Sequence, residues 1–528
     1  MRMMRKWIML LALALLTSLH TKAQQPIDSV ALEYGNTITA EELKEHLYTF
    51  ASDSFGGRDT GSEELKMAAD YLIKHYQGNQ LEGIVEGSKY QQPFPVVESK
   101  WDAPSIEVNG QKFNFIEDFY GFPRMNQGLS ESIESVTFAG YGIESEKYND
   151  YKKLEINGDA LMILSGEPMA ADSTYFVTGT TAKSRFTSNF SASMRTKQEI
   201  AADKGASIVM MIDENFASNS RRYGAYVQMP SMLLPQNTPE ISTNFVFVSP
   251  KLAQAILGKK DLEKIKRKIS KKGKSKPFNV KADIQLALEK HEEKITTSNV
   301  LAYIEGSDLK DEVIVITSHY DHVGTTDGQV YNGADDDGSG TVAVMEIAEA
   351  FAEAKGEGNG PRRSLLFMNV SGEEKGLLGS EYYTSNPVIP LENTIANLNI
   401  DMIGRTDVEH ENNPEYVYII GSDRLSTELH QINEEANAIY TNLILDYKYN
   451  ASDDPNRFYY RSDHYNFAKH RVPIIFYFNG VHQDYHQPSD TPDKIRYDLL
   501  ERRARLVFHT AWKLANQDKR IEVDVAGE

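Results

Sequence analysis

Residues able to hold metal ions are concentrated after position 317 of this 528-residue chain. Ser318–His322 reads SHYDH, Asn332–Gly340 reads NGADDDGSG and Gly372–Ser380 reads GEEKGLLGS, with Asp401 and His486 further along. The three adjacent aspartates repel one another, so packing them without a cation is costly. Imidazole and carboxylate groups are zinc ligands, and two zinc ions can share one bridging carboxylate and one water. These segments predict a metal centre; the alternative for the aspartates is an exposed turn that caps the next helix.

The elements around these segments predict how the side chains meet. The apolar runs that read as strands are Val313–Thr317, Ser364–Asn369, Ile395–Ile400 and Val472–Phe478, and Thr341–Ala354 reads as a helix. Strands that alternate with helices indicate a mostly parallel α/β sheet covered on both faces. Ligand sites in such sheets form at the carboxyl ends of strands. His319, the Glu373–Glu374 pair and Asp401 all follow strand ends, so we expect them at one edge.

Two helices and a turn are predicted before residue 80. Thr39 and Glu42 form a capping-box pattern at the start of one helix, and Ser62 is the expected N-cap of another. The segment Gly57–Ser62, which reads GRDTGS, has the composition of a turn.

Taken together, the motifs resemble the co-catalytic di-zinc exopeptidases, the family of the secreted bacterial leucyl aminopeptidases and of glutamate carboxypeptidase. All five ligand motifs occur in the family's order, and Gly57–Ser62 is similar to its N-terminal segment. The block around Phe138–Ile143, Asp150-Tyr151 and Gly158 resembles a protease-associated domain. The resemblance implies an α/β fold of the zinc exopeptidase, phosphorylase/hydrolase-like type. Its mostly parallel mixed sheet would lie between helices and be interrupted by an inserted β-rich protease-associated domain.

The resemblance also implies a role for each residue. Two zinc ions per chain would be held by His319, Asp336, Glu374, Asp401 and His486. Asp336 would bridge the ions, with His319 and Asp401 on one and Glu374 and His486 on the other. The catalytic residues would be Glu373 and Asp321. Glu373 would be the general base that takes a proton from the metal-bridging water, and Asp321 would orient His319.

Several other residues near these motifs are given lesser roles. His322 and His464 are expected beside the site rather than as further ligands. The family pattern selects His486 over His482. A tyrosine is expected to stabilise the oxyanion, but Tyr459, Tyr460 and Tyr485 cannot be ranked from the sequence.

The N-terminal residues read as a secretory signal peptide. Arg2, Arg5 and Lys6 precede the apolar run Ile8–Leu19, and Ala23 is a suitable residue before a cleavage site. This run is shorter than the roughly 20 residues that span a bilayer, although a membrane anchor is the alternative. We therefore expect a secreted or periplasmic protein with no membrane span after cleavage.

The predicted domain boundaries follow from the signal peptide and the resemblance. The segments are residues 1–23 (signal peptide), 24–105 (N-terminal part of the peptidase domain), 106–285 (inserted protease-associated domain), 286–520 (main part of the peptidase domain) and 521–528 (C-terminal tail).

Composition excludes several other classes of protein. The chain has no cysteine, which removes disulfides, thiolate metal sites and cysteine nucleophiles. Its formal charge of -20 argues against a nucleic-acid partner. The basic stretch 259–276 is a possible polyanion contact, but a solvated helix end is the favoured interpretation.

We expect a di-zinc aminopeptidase that acts on peptides. A carboxypeptidase or dipeptidase of the same family is one alternative, for which Arg405 or Arg461 would bind the substrate's carboxylate. Glutaminyl cyclase, with one zinc, is a second alternative, and a non-catalytic receptor-like binding protein is a third. The substrate side chain and the oligomeric state do not follow from the sequence.

Overall fold

The computed structural model describes residues 27–152, 154–156, 158, 160–237 and 240–526. The predicted signal peptide lies outside these residues. The chain forms two compact units: unit 1 comprises residues up to Pro93 and from Ser298 onward, and unit 2 comprises Phe94–Thr297. Unit 2 extends beyond the predicted insert, residues 106–285, at both ends. The chain changes unit inside two continuous strands, so no change of composition marks either boundary.

The strands are numbered in chain order. They are β1 (Gln91–Trp101), β2 (Ser105–Val108), β3 (Gln111–Phe113), β4 (Phe119–Tyr120), β5 (Leu129–Phe138), β6 (Ala160–Leu164), β7 (Ile208–Ile212), β8 (Ser231–Leu233), β9 (Asn244–Val248), β10 (Phe278–Leu288), β11 (Lys290–Ile304), β12 (Leu309–His319), β13 (Thr325–Thr326), β14 (Gln329–Val330), β15 (Arg363–Val370), β16 (Thr394–Ile400), β17 (Tyr416–Ile420), β18 (Ile444–Asp446) and β19 (Ile474–Phe478).

The α-helices are numbered in the same way. They are α1 (Ser29–Gly35), α2 (Ala40–Phe50), α3 (Glu63–Gly78), α4 (Phe190–Asp203), α5 (Phe216–Gln228), α6 (Pro250–Leu257), α7 (Leu262–Lys272), α8 (Gly340–Gly356), α9 (Leu378–Ser385), α10 (Thr427–Ala436), α11 (His464–Lys469) and α12 (Tyr497–Asn516).

Unit 1 contains a mixed sheet that is parallel at its centre. Its neighbouring strands follow the order β18-β17-β19-β16-β12-β15-β11. β12 pairs in parallel with both β15 and β16, and β16 pairs in parallel with β19. β11 and β17 are antiparallel to β15 and β19. The predicted mostly parallel mixed sheet is therefore confirmed.

Both faces of the sheet in unit 1 are buried. Ile314 and Ile316 of β12 belong to a core that includes residues of α2, α3, α8 and α12. Val313 and Val315, which alternate with them, belong to a second core with residues of α9 and α11. Burial on both sides explains why β12 reads as a continuous apolar run rather than as an alternating one.

Unit 2 is a second α/β unit with its own sheet, in the order β3-β2-β10-β5-β6-β7-β9-β4. Its parallel pairs are β5–β6, β6–β7 and β7–β9. The predicted basic stretch forms α7, which is capped by Asp261 and ends at Gly273 with a φ of 62°. Ile269 of α7 is buried, whereas most of its lysines are exposed. The identification of unit 2 as a protease-associated domain stays a prediction.

None of the described helices is both long enough and apolar enough to cross a bilayer.

Candidate metal centre

Adjacent parallel strands bring the predicted ligands to one edge of the sheet in unit 1. β12 ends at His319, the Glu373–Glu374 pair follows β15 after a short turn, and Asp401 follows β16 directly. Because these strands are neighbours and parallel, their carboxyl ends lie side by side. His486 joins them from the loop after β19, with a φ of 53° that residues other than glycine rarely adopt.

The three adjacent aspartates have different surroundings. Asp335 Oδ1 accepts a hydrogen bond from the N–H of Gly404 at 2.7 Å, and Asp337 Oδ1 accepts one from Met402 at 3.0 Å. Asp336 Oδ2 is buried and makes no hydrogen bond to another described residue. The outer two carboxylates therefore hold the backbone in place, and the middle one is available for a ligand.

Asp490 also fixes this turn, and sequence reasoning did not assign it a role. Its Oδ2 accepts hydrogen bonds from the N–H groups of Asp335 at 2.9 Å and Asp336 at 3.2 Å. Burial, reinforced by Asp335, raises the pKa of Asp490 to about 6. Asp490 lies four residues after His486 in the sequence, but a loop has no period from which the direction of its side chain could be read.

Asp336 lies between two histidines. Its Oδ1 is 3.2 Å from Nε2 of His319, and its Oδ2 is 3.0 Å from Nε2 of His486. His319 Nε2 is also 3.7 Å from Oδ1 of Asp401, and His486 Nε2 is 3.1 Å from Oε2 of Glu374. The five predicted ligands are thus brought together as two histidine–carboxylate pairs that share Asp336.

This arrangement fits zinc. His319 Nε2, His486 Nε2, Asp336 Oδ2 and Glu374 Oε1 are buried atoms without a hydrogen-bond partner among the described residues. Ligand atoms about 2.0–2.1 Å from a tetrahedral zinc lie about 3.3 Å apart, close to the separations above. Although burial opposes its charge, the nearby carboxylates of Asp336 and Glu374 raise the pKa of His486 to about 10. The carboxylates therefore strongly favour a positive charge at this place.

Two other groupings of possible ligands are close in space. Ligand atoms of His319, Asp337 and Asp401 lie within 4.8 Å of one another, as do those of His322, Asp336 and Glu374. Asp337 is less suitable because its oxygens accept hydrogen bonds from main-chain N–H groups. His322 Nδ1 is 2.9 Å from Glu374 Oε1 but 3.8 Å from Asp336 Oδ2, whereas His486 is close to both carboxylates.

Asp321 acts on His319 differently from the expectation. Nδ1 of His319 is 3.0 Å from the main-chain carbonyl oxygen of Asp321 and 3.8 Å from its carboxylate. The carboxylate instead accepts hydrogen bonds from the hydroxyl of Thr60 at 2.8 Å and from the N–H of Glu373 at 3.2 Å. Asp321 therefore positions His319 through its backbone and Glu373 through its side chain.

Glu373 lies beside the ligands, with Oε2 4.0 Å from Nε2 of His319. Burial raises the pKa of its carboxyl well above the ordinary value; His319 opposes this shift, and Glu374 and Asp401 reinforce it. A carboxylate with a raised pKa is a stronger base than an exposed one, which suits a group that accepts and returns a proton.

The remaining histidines make other contacts. Nε2 of His464 is 2.8 Å from the carbonyl oxygen of Tyr459, and its ring stacks on Phe476. Nε2 of His482 is 3.1 Å from Oδ2 of Asp335, so His482 contacts the ligand-bearing turn without facing Asp336.

The structure distinguishes the three candidate tyrosines. Tyr485 stacks on His486 with ring centroids 3.9 Å apart. Tyr459 lies under the guanidinium of Arg424, and Tyr460 under that of Arg457. Tyr485 is thus the candidate whose ring stacks on a predicted ligand.

The two arginines named for the carboxypeptidase alternative have different partners. Arg405 pairs with Asp484 at 2.9 Å, and its backbone N–H contacts Asn479. The guanidinium of Arg461 lies over the ring of Phe458, 4.8 Å from its centroid.

Residues 299–511 match the sequence model of Peptidase family M28. A "Probable zinc metalloprotease" of Pyrenophora tritici-repentis is 40% identical over 118 residues, 21% of this chain and 22% of that protein. A "Probable leucine aminopeptidase" of Arthroderma otae is 29% identical over 234 residues, 43% of this chain and 60% of that protein. The chain thus spans less than two thirds of these curated relatives.

A solved structure shows the same fold over nearly the whole chain. The aminopeptidase from Aneurinibacillus sp. strain AM-1 superposes with a TM-score of 0.57 at 17% identity, over 94% of this chain and 99% of that one. The five predicted ligands all lie within residues 299–511, the segment that matches the model of Peptidase family M28.

Proposed function

We propose that this protein is a secreted di-zinc aminopeptidase that removes N-terminal residues from peptides. One observation carries the proposal: the carboxylate of Asp336 lies between His319 and His486, each of which also neighbours a second carboxylate. Secretion is inferred from residues 1–23, and the aminopeptidase activity is supported by the names of similar proteins.

His319, Asp336 and Asp401 would hold one zinc ion, and Asp336, Glu374 and His486 the other. Bound zinc supplies Lewis acidity toward a peptide carbonyl and lowers the pKa of water. Oε2 of Glu373 accepts the proton from the attacking water and delivers it to the nitrogen of the leaving amine. The side chain of Asp321 keeps Glu373 in place through the N–H of that residue.

The name of one similar protein favours a substrate with a free amino terminus. The relative from Arthroderma otae is called a probable leucine aminopeptidase. A carboxypeptidase needs a free cation for the terminal carboxylate; Arg405 is already paired with Asp484, which leaves Arg461 for that role. The carboxypeptidase is therefore the second candidate.

Cleavage of blocked peptides tests this proposal. The purified chain without residues 1–23 should bind about two zinc ions and hydrolyse aminoacyl anilides and C-terminally amidated peptides, but not N-acetylated peptides. Chelator should abolish the activity. Cleavage that survives N-acetylation but is lost on C-terminal amidation would instead identify a carboxypeptidase. One zinc with cyclisation of N-terminal glutamine would identify a glutaminyl cyclase, and zinc binding without turnover a binding protein.

Neighbouring glutamates provide a matched pair of variants. Glu373→Gln should retain zinc but lose turnover by about 10²–10⁴-fold, the usual contribution of a general base. Glu374→Gln should lose zinc, because a ligand is removed. Metal analysis and steady-state kinetics measure both effects, and full activity of Glu373→Gln would refute its role as base.

A further inference from the structure

A cavity of about 420 Å³ lies within unit 2. Its walls include the aromatic rings of Phe186, Phe190 and Phe247 and the side chains of Met194 and Met211. Pockets that bind small molecules have volumes of about 300–1,000 Å³, and this cavity falls in that range with both apolar and polar side chains in its walls. The polar groups of this cavity therefore indicate what it could bind.

Lys197 is a buried cation in the wall of this cavity. The residue is 1% exposed, and its Nζ donates hydrogen bonds to the carbonyl oxygens of Gly166 at 2.7 Å and Leu164 at 3.3 Å. An ammonium group has three N–H donors, so one is left over. Burial lowers the pKa of Lys197 to about 7, and the more distant Asp150 and Glu167 only partly oppose this shift. A bound anion would supply the missing compensation.

Glu167 is a buried carboxylate in the same wall. It is 7% exposed, and its Oε1 accepts hydrogen bonds from the N–H of Ser184 at 2.9 Å and from the hydroxyl of Thr187. Its Oε2 is buried without a hydrogen-bond partner among the described residues. An unsatisfied buried carboxylate oxygen costs free energy that a bound donor would recover.

The other charged groups of the cavity are satisfied within the protein. Asp213 accepts hydrogen bonds from the hydroxyl of Tyr120 at 3.0 Å and from Nδ2 of Asn219 at 2.9 Å. Lys266 pairs with Glu214 at 2.7 Å. Lys197 and Glu167 are thus the buried charged lining residues with an unused donor or acceptor.

We propose that this cavity binds a free α-amino acid with an apolar side chain. Its carboxylate would accept a hydrogen bond from Lys197, its ammonium group would donate one to Oε2 of Glu167, and its side chain would lie against Phe190 and Phe247. The site is distinct from the metal centre of unit 1. Such an amino acid would also be a product of the enzyme, and this link rests on the proposed function. The proposed binding of the amino acid does not depend on that function.

Calorimetric titration of the zinc-loaded full chain with L-leucine tests the proposal. The titration is repeated after chelation, which removes binding that depends on the metal centre. We expect L-leucine binding to survive chelation. N-acetyl-L-leucine, which lacks the ammonium group, should bind at least about tenfold more weakly than L-leucine. L-leucine amide, which lacks the carboxylate, should lose affinity by the same factor. Absence of binding after chelation overturns the proposal whether or not the protein cleaves peptides.

Variants connect the binding to the two charged groups. Lys197→Met and Glu167→Gln should each weaken binding of L-leucine at least about tenfold, since each loses a charged hydrogen bond. Glu167→Gln should also reduce the preference for L-leucine over N-acetyl-L-leucine, which a purely structural role of Glu167 would not do. Lys204→Met, which removes a surface pair with Glu144 in unit 2, should leave the affinity unchanged. Equal effects of Lys204→Met and Lys197→Met would overturn the proposal.

Phe190→Ala keeps the proposal testable if the buried variants do not fold. Phe190 is 38% exposed, so its truncation should leave the melting temperature nearly unchanged. It should weaken L-leucine binding several-fold without altering the preference over L-leucine amide. Unchanged affinity of a folded Phe190→Ala protein counts against the cavity as the site.

Discussion

Asp335, Asp336 and Asp337 have the same side chain, and their hydrogen bonds give them different tasks. Asp337 is within hydrogen-bond distance of the N–H groups of His319, Gly340 and Met402, so it connects the backbone of two ligand-bearing strand ends with the start of α8. Asp336 has no such partner on Oδ2. Gly333 leaves room for this turn, because a Cβ there would lie 2.4 Å from the carbonyl oxygen of Asp336.

Exchange of single carboxylates for amides tests this division at the residue scale. Asp336→Asn should lower zinc content from about two ions to one or none, because an amide is a poor bridging ligand. Asp337→Asn should destabilise the metal-free protein by about 1–3 kcal/mol, because its amide nitrogen cannot accept a hydrogen bond from the main chain. Metal analysis and thermal unfolding measure both, and the reverse pattern would make Asp337 the ligand.

The sequence predicted the ligand residues more completely than their partners. His319, Glu373–Glu374 and Asp401 were found because each follows a strand end, a position that hydrophobic runs reveal. The part played by Asp490 and the contact of Tyr485 with His486 were not predicted. Both residues lie in a loop, where side-chain direction depends on tertiary contacts rather than on a repeating period.

At the scale of elements, the predicted helix starts are confirmed. Oγ of Ser62 accepts a hydrogen bond from the N–H of Leu65 at 3.0 Å at the start of α3, and Oγ1 of Thr39 accepts one from Glu42 at the start of α2. The turn between these helices carries Arg58, whose function the sequence did not reveal. A surface turn and a turn that enters the core have the same composition.

Arg58 connects both ligand-bearing loops. It is fully buried and donates hydrogen bonds to four main-chain carbonyl oxygens. The acceptors are those of Phe50 (3.1 Å), Tyr320 (3.0 Å), Asn332 (2.7 Å) and Gly333 (3.0 Å). Tyr320 adjoins His319, and Gly333 precedes the three aspartates, so one guanidinium fixes both segments.

Arg58→Lys should therefore loosen the metal centre while keeping the charge. Lysine cannot reach four carbonyl groups in this fork, so we expect a loss of about 2 kcal/mol or more in stability and of about 10–100-fold in zinc affinity. Arg505→Lys is the matched control, because Arg505 also donates to main-chain carbonyls, those of Asn36 and Ile38, but away from the ligands. Zinc competition titrations compare the two variants. Equal zinc affinities would contradict a positioning role for Arg58.

Over the whole molecule, the sequence predicted the layers better than the boundaries. Apolar runs such as Ala160–Leu164 and Asn244–Val248 coincide with β6 and β9, because burial on both faces leaves a clear signal in the sequence. The limits of unit 2 fall inside β1 and β11, where the chain continues in one conformation. A boundary of this kind depends on tertiary packing and has no local signature.

Buried neutral histidines in unit 1 predict how its stability depends on pH. Burial lowers the pKa of His75 to about 4 and the pKa values of His464 and His509 to about 3. Unfolding returns each to an ordinary pKa near 6.5. Below about pH 6.5, these histidines therefore bind protons in the unfolded chain but stay neutral in the folded chain. Each histidine should lower the free energy of unfolding by about 1.4 kcal/mol per pH unit between pH 6 and 4, and have no effect above pH 7.

His509→Phe isolates one of these contributions. His509 stacks on Tyr440 in the core of unit 1, so an aromatic ring of similar shape keeps the packing. Below pH 6, the free energy of unfolding of the variant should fall with decreasing pH at a slope about 1.4 kcal/mol per pH unit smaller than that of the wild type. Urea unfolding at several pH values, with chelator present throughout so that zinc release does not contribute, measures the slope. In the chain without residues 1–23, Trp101→Phe leaves Trp512 as the remaining tryptophan, and its fluorescence reports on unit 1. His470→Phe, at an exposed position, is the control and should keep the wild-type slope. A wild-type slope in His509→Phe would show that His509 is not the group that titrates.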